Sequence, residues 1–226
     1  MATVSIYNRP DLRELTHYNI NNPDQVTSSA EGIIIRAPPD TDLWRDPGQN
    51  VSTAPTLYTR VPMSNFKSAR VTVSSNWNTI WDQGGLVLFL RDLPRDPPYP
   101  QSRWVKVNIE YFEQPDFATV ATDNWSDYSY GPVPGVGYDY VKGGKVSATL
   151  EVEREVVDGR KTSSLLVYKV DPKTGGRQLV RGVTWVFEED VGELLVGIYA
   201  ASPKSDDAGR DDLEVNFRGF EIKLFQ

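Results

Sequence analysis

Trp104, Lys106, Asn108 and Glu110 stand at every second position, so an extended strand presents all four on one face. The set combines a ring platform, an ammonium, an amide and a carboxylate. Those groups suit a site that stacks a ring and hydrogen-bonds its substituents. They also hold what acid–base chemistry needs, with Glu110 to move a proton and Lys106 to polarise an oxygen. The chain turns at Glu113-Gln114-Pro115-Asp116 and returns through residues 117–125. A register with Phe112 opposite Phe117 sets Trp104 against Trp125 and Lys106 against Asp123. Val105, Val107, Ile109 and Tyr111 then form the opposite, apolar face, which belongs to the core. The competing reading of the polar face is an aromatic pair beside a surface ion pair, with no ligand.

The run from Trp81 to Arg91 extends this face through Gln83, Gly85, Val87, Phe89 and Arg91. Gly84-Gly85 fits a bulge or a close ligand approach, and equally fits glycines that admit large core neighbours. Asp82 is a second candidate acid/base. Trp44 rims the expected cleft, or else covers the core edge. Glu151, Glu153 and Glu155 share a strand face with the spacing of a retaining-glycosidase pair. However, Asp158-Gly159 ends that strand and no aromatic stands beside them, so they read as a solvated arm. Asp82, Asp123, Asp127 and Asp139 are not gathered by a compact loop, and no metal site is expected. The lone histidine, His17, reads as a surface residue, and Gly143-Gly144 as a plain turn. No cofactor is expected.

The elements behind these residues are strands. Residues 32–36, 69–74, 84–90, 103–111, 117–124, 145–155, 164–170, 183–187, 194–200 and 213–225 alternate or carry β-branched runs, with turns between them. Helical patterning is limited to Asp11–Tyr18 and a turn at Glu188–Glu193. About a dozen short strands at this spacing is the pattern of an all-β sandwich or barrel. The expected division is an N-terminal segment, 1–30, packed on one β-sandwich, 31–226.

Composition narrows the partners. The 226 residues carry 24 Lys and Arg against 31 Asp and Glu, a formal net charge of -7. Phosphate neutralisation needs clustered basic residues, so no nucleic acid is expected, and no anionic membrane surface. There is no cysteine, which removes disulfides, thiolate metal sites and a cysteine nucleophile. No apolar window reaches the length of a membrane span, and a cytoplasmic location is expected.

Several blocks in order carry a resemblance. They are Asp40-Thr41-Asp42-Leu43-Trp44-Arg45, Trp81-Asp82-Gln83-Gly84-Gly85-Leu86, residues 104–111, Asn124-Trp125-Ser126-Asp127-Tyr128-Ser129, residues 196–203 and residues 215–220. Together they resemble the regulation-of-enolase-like family within the concanavalin A-like lectin/glucanase superfamily. The resemblance implies a two-sheet antiparallel jelly-roll sandwich with a concave face. The sequence carries Trp81 where that family commonly has Tyr, and Tyr128 where it commonly has Trp.

The leading expectation is a small-molecule or carbohydrate-binding domain using the concave sheet. Its ligand-binding residues would be Trp44, Trp81, Gln83, Phe89, Arg91, Trp104, Asn108, Asp123, Trp125 and Tyr128. One alternative is a cofactor-independent isomerase, cyclase or hydrolase of a small cyclic metabolite, with Glu110 or Asp82 as acid/base and Lys106 beside them. Another is a regulatory protein that contacts a metabolic enzyme.

Overall fold

Alternating apolar residues become strands through most of the computed structural model, which describes residues 4–5, 12–91, 102–133, 142, 144–171, 173–204 and 211–226. The strands, numbered along the chain, are β1 (Val4–Ser5), β2 (Thr16–Tyr18), β3 (Val26–Ser29), β4 (Gly32–Ala37), β5 (Leu43–Asp46), β6 (Gln49–Ser52), β7 (Thr56–Pro62), β8 (Phe66–Asn76), β9 (Gln83–Arg91), β10 (Arg103–Tyr111), β11 (Pro115–Thr122), β12 (Ser126–Pro132), β13 (Lys145–Val157), β14 (Arg160–Val170), β15 (Arg177–Val183), β16 (Glu193–Ala201) and β17 (Leu213–Leu224). Among the described residues the only helical pieces are single 3₁₀ turns at Leu12–Glu14, Pro23–Gln25 and Met63–Asn65.

Two large antiparallel sheets result. The first runs β15-β14-β13-β8-β17-β4-β3, with β1 added against β17. The second runs β12-β11-β10-β9-β16-β7-β2, and β5 and β6 form a separate hairpin. This is a two-sheet antiparallel jelly-roll sandwich. The main core lies between the sheets. It takes Val105, Val107 and Ile109 of β10 and Leu86, Leu88 and Leu90 of β9 from one side. From the other side come Val71, Val73, Leu150, Val152, Val215 and Phe217.

A second, smaller core lies on the other face of the seven-stranded sheet. Phe89, Trp104, Val87, Val120, Leu195, Tyr199 and Tyr58 pack there against Leu43 of the β5–β6 hairpin. The hairpin is a lid that turns a sheet face into an interior. It is fastened by Arg45, which is 6% exposed and donates through Nε to the Asn124 carbonyl (2.8 Å) and through Nη2 to that of Asp123 (2.9 Å).

Several sequence expectations change. The helix expected at Asp11–Tyr18 is a single 3₁₀ turn followed by β2, because Thr16–Tyr18 pair with the free edge of β7 (Asp11 lies outside the described residues). The strand expected at 183–187 ends at Val183, where residues 184–187 turn. Within residues 1–30, β2 and β3 are edge strands of the two sheets.

The β10–β11 register also differs. Tyr111 pairs with Pro115, Glu110 with Asp116, Lys106 with Val120 and Trp104 with Thr122. Pro115 opens the strand instead of lying in the turn, a position where its missing N–H costs nothing. The loop shortens to Phe112, Glu113 and Gln114, closed by the Phe112 N–H to the Gln114 carbonyl (3.3 Å). The shift is odd, so β11 turns over. Ala118 and Val120 face the polar side of β10, and neither Trp125 nor Asp123 stands opposite it.

Candidate functional site

Cross-strand register sets side chains in rows on the lidded face. One row runs Tyr58, Gly197, Val87, Lys106, Val120, Tyr128. The next runs Tyr199, Gly85, Asn108, Ala118, Tyr130. Small residues at Gly85 and Ala118 leave depth between the bulky ones. A cavity of about 420 Å³ opens above these rows, lined by Asp40, Asp42, Trp44, Gln49, Val51, Trp81, Gln83, Lys106, Glu110, Tyr128, Tyr130 and Pro203.

Its floor is polar and buried. Lys106, 1% exposed, donates from Nζ to the Leu43 carbonyl (2.8 Å) and to Gln83 Oε1 (2.7 Å). Asp42 Oδ1 is 4.0 Å away, and the rings of Trp104, Trp44 and Tyr199 surround the ammonium at 5.7–6.0 Å. Gln83 Oε1 also accepts from the Tyr199 hydroxyl (2.9 Å), and its amide donates to Asp42 Oδ1 (3.3 Å). Glu110, 6% exposed, accepts from the Tyr130 hydroxyl (2.5 Å) and from Asn108 Nδ2 (3.2 Å). Burial, reinforced by the Glu110 charge, holds the Tyr130 hydroxyl above its usual range, so it stays protonated as a donor. Burial acts likewise on Tyr199. Asn108 is fully buried, and its Oδ1 accepts no hydrogen bond from the described residues.

The walls are aromatic. Trp44 and Tyr128 meet at 5.8 Å between centroids and 54°, and Tyr128 and Tyr130 at 5.4 Å and 64°. Asp46 accepts from Trp44 Nε1 (2.8 Å) and fixes that indole. The same carboxylate caps the β5–β6 turn through the N–H groups of Gly48 and Gln49, and these bonds, the Trp44 one foremost, hold it below the usual range. Trp81 has φ +67°, a left-handed conformation that costs a bulky residue strain. It stands 45% exposed at the mouth, and its carbonyl accepts from Gln83 Nε2 (3.3 Å).

The structure therefore gathers Trp44, Trp81, Gln83, Lys106, Glu110 and Tyr128 at one cavity, with Asn108 beneath. Trp104 and Phe89 share the face but are each 2% exposed, as packing of the second core. Trp125 and Asp123 lie across the lid, beside Arg45 and Asn50, in a separate depression. Asp82 points elsewhere. Its carboxylate accepts from Ser202 Oγ (2.5 Å) and from the Thr79 N–H (3.2 Å), and it lines a different cavity with Ser74 and Asn216. Arg91 pairs with Glu193 in the backbone ladder, and its side chain lies outside the described residues.

Asp40, Asp42, Gln49, Tyr130 and Tyr199 were not singled out from sequence. Tyr130 was within reach, two positions beyond Tyr128 on the same strand face. Among the described residues no group of three or more His, Cys, Asp or Glu is placed to hold a metal ion, and Asp139 lies outside them. Among the described residues no helix is long and apolar enough to cross a membrane. Glu151 and Glu153 are not a solvated arm but ion-pair partners of Arg177, on the face of the eight-stranded sheet away from the core.

A family model described as "Protein of unknown function (DUF1349)" matches residues 20–224. "Uncharacterized protein AN7484" of Emericella nidulans is 41% identical over 205 residues, covering 89% of this chain and 90% of that protein. A functionally unknown protein from Saccharomyces cerevisiae superposes with a TM-score of 0.70 at 21% identity, over 96% of this chain and 100% of that one. The basic winged bean lectin, solved with Tn-antigen, gives 0.53 at 12% identity, over 99% of both chains. The laminarinase catalytic domain of Thermotoga maritima gives 0.57 at 10% identity, over 91% of this chain and 82% of that one. At these identities the solved structures share the fold alone.

Proposed function

The chain belongs to the DUF1349 family, and we propose that its lidded cavity binds a small cyclic, hydroxyl-rich ligand, most simply a sugar. One observation carries the reading. A buried floor of Lys106, Gln83 and Glu110, with the half-buried Asp42 beside it, lies beneath walls of Trp44, Tyr128, Tyr130 and Trp81. Ring faces stack on a sugar's C–H groups, while the floor offers directed donors and acceptors to its hydroxyls. A volume of about 420 Å³ falls within the usual range for small-ligand sites. Lectins and glucanases that share the fold support the ligand class. Titration of tryptophan fluorescence with a panel of mono- and disaccharides tests it. Trp44→Ala or Tyr128→Ala should weaken binding by about 1–3 kcal/mol, and unchanged affinity in both variants would end the reading.

Glu110 favours a second reading, a cofactor-independent isomerase, cyclase or hydrolase. It is a buried carboxylate with a fixed phenol donor at 2.5 Å and a lysine four residues back on the same strand face. Glu110→Gln keeps the shape and removes the proton-transfer group. An enzyme using it would lose about 10²–10⁴ in rate with binding little changed, whereas a binding domain would show no turnover to lose.

A further inference from the structure

Glu110 is a buried carboxylate that the fold leaves without a cation. Its hydrogen-bond partners are the neutral Tyr130 hydroxyl and the neutral Asn108 amide. The ammonium of Lys106, four residues away on the same strand face, is committed to the Leu43 carbonyl, Gln83 and Asp42. Among the described residues Glu110 has no ion pair. A charge taken out of water without a counter-ion is costly. Among the described residues that line the cavity, Asp40 and Asp42 add two more carboxylates, against the one ammonium of Lys106.

The walls have a matching electrostatic character. Tyr128, Tyr130, Trp44 and Trp81 line the cavity, and Tyr128 is inclined to Trp44 by 54° and to Tyr130 by 64°, so these rings do not form one flat platform. The negative faces of inclined rings attract a cation, and a nearby carboxylate strengthens that attraction. Neutral hydroxyls would not need this excess of negative charge, and an acidic ligand would be repelled by it.

We propose that the cavity selects a ligand bearing an ammonium group, an amino sugar over its neutral or acidic counterpart, with the ammonium against Glu110 and within the rings of Tyr128, Tyr130 and Trp81. The inference rests on the sugar-binding reading and goes beyond it by fixing the ligand's charge. It also gives Glu110 a role as counter-ion that needs no turnover.

Calorimetric titration at pH 7 with glucose, glucosamine, N-acetylglucosamine and glucuronate, and with the matched galactose set, tests the proposal. Choline serves as a cation without a sugar ring. The expected result is amine-bearing sugar bound about tenfold tighter than the neutral or acetylated form, with the acid weakest. Glu110→Gln should lower amine-sugar affinity by a larger factor than neutral-sugar affinity and so remove most of that ratio, with its melting temperature confirming the fold. Neutral and amine forms bound equally would overturn the proposal and leave the sugar reading standing. Choline bound while every sugar fails would sustain the cation preference and end the sugar reading. No binding by any member of the panel would overturn both. An unchanged amine preference in Glu110→Gln would overturn the assignment of Glu110 as counter-ion.

Discussion

The hydroxyl of Tyr130 on β12 reaches the Glu110 carboxylate on β10 at 2.5 Å, although β11 runs between their strands. The reach is possible because Ala118 is the intervening side chain in the neighbouring row. A hydrogen bond to a charged group contributes about 1.5–3 kcal/mol. Tyr130→Phe should therefore lower thermal stability and weaken ligand binding together, whereas Tyr128→Phe, which keeps the ring, should leave stability close to wild type. Comparing the two melting curves checks this, and equal curves for both variants would count against it.

Alkaline pH should destabilise the fold through Tyr130 and Tyr199. Burial holds both hydroxyls protonated above the usual range, while the unfolded chain releases such protons near pH 10. Folded-state pKa values that are raised give a contribution complete below about pH 10 and lost as pH rises beyond it. The melting temperature should fall steeply above that point in the wild type and more gently in Tyr130→Phe/Tyr199→Phe. Parallel pH profiles for the two proteins would refute the account.

The tryptophans should separate cleanly in chemical denaturation. Trp104→Ala removes a 2%-exposed ring from the second core, which should cost about 3–5 kcal/mol. Trp125, 47% exposed, should cost less than about 1 kcal/mol when truncated. A Trp104→Ala protein as stable as wild type would show that the lid does not make an interior.

Gly85→Ala should be among the most damaging small changes. A Cβ there would lie 2.0 Å from the Val107 carbonyl oxygen and 2.5 Å from Asn108 Cα. Strands β9 and β10 must part to admit it, at the centre of the sheet. A loss above about 3 kcal/mol is expected, and urea unfolding would reveal it. Gly159→Ala meets nothing within 4 Å and bears only the strain of φ +75°, so its loss should be nearer 1–2 kcal/mol.

Acid should release Trp44. The depressed Asp46 carboxyl contributes while ionised, and that contribution is lost as pH falls through and below the ordinary carboxylate range. Tryptophan emission should shift below about pH 4, and Asp46→Ala should show the shifted emission already at pH 7. An emission spectrum for Asp46→Ala that matches wild type at neutral pH would remove Asp46 as the indole's anchor.

The alternation of β10 was readable from sequence, because period two with apolar Val105, Val107 and Ile109 admits one core face. Lys106, Glu110, Gln83, Trp44, Trp81 and Tyr128 were singled out for the same reason, as polar or aromatic residues in or beside such strands. The register was not readable, because the role of Pro115 as strand or turn residue changes the loop by an odd number of positions. Nor was the burial of Trp104. It depends on Leu43 arriving from a hairpin that no local periodicity announces. Asp42 reaches the cavity from the same hairpin region and was equally hidden. The glycines fell between the two expectations. The β9–β10 register runs without a break, Gly85 admits the neighbouring backbone and Gly84 admits Val215.

The position of β17 has a consequence for how the molecule assembles. It lies between β4 and β8, with Val215 paired to Ile35 and Asn216 to Ser74. Hairpins such as β10–β11 and β13–β14 close from neighbouring sequence and can form early. The centre of the larger sheet must instead wait until distant parts of the chain meet, after most of the loop-closure entropy has been lost. Refolding on the millisecond-to-second scale of non-local β topologies follows. In that interval the inner edges of β4 and β8 stand open to each other and to other chains, so concentrated refolding should aggregate before β17 inserts.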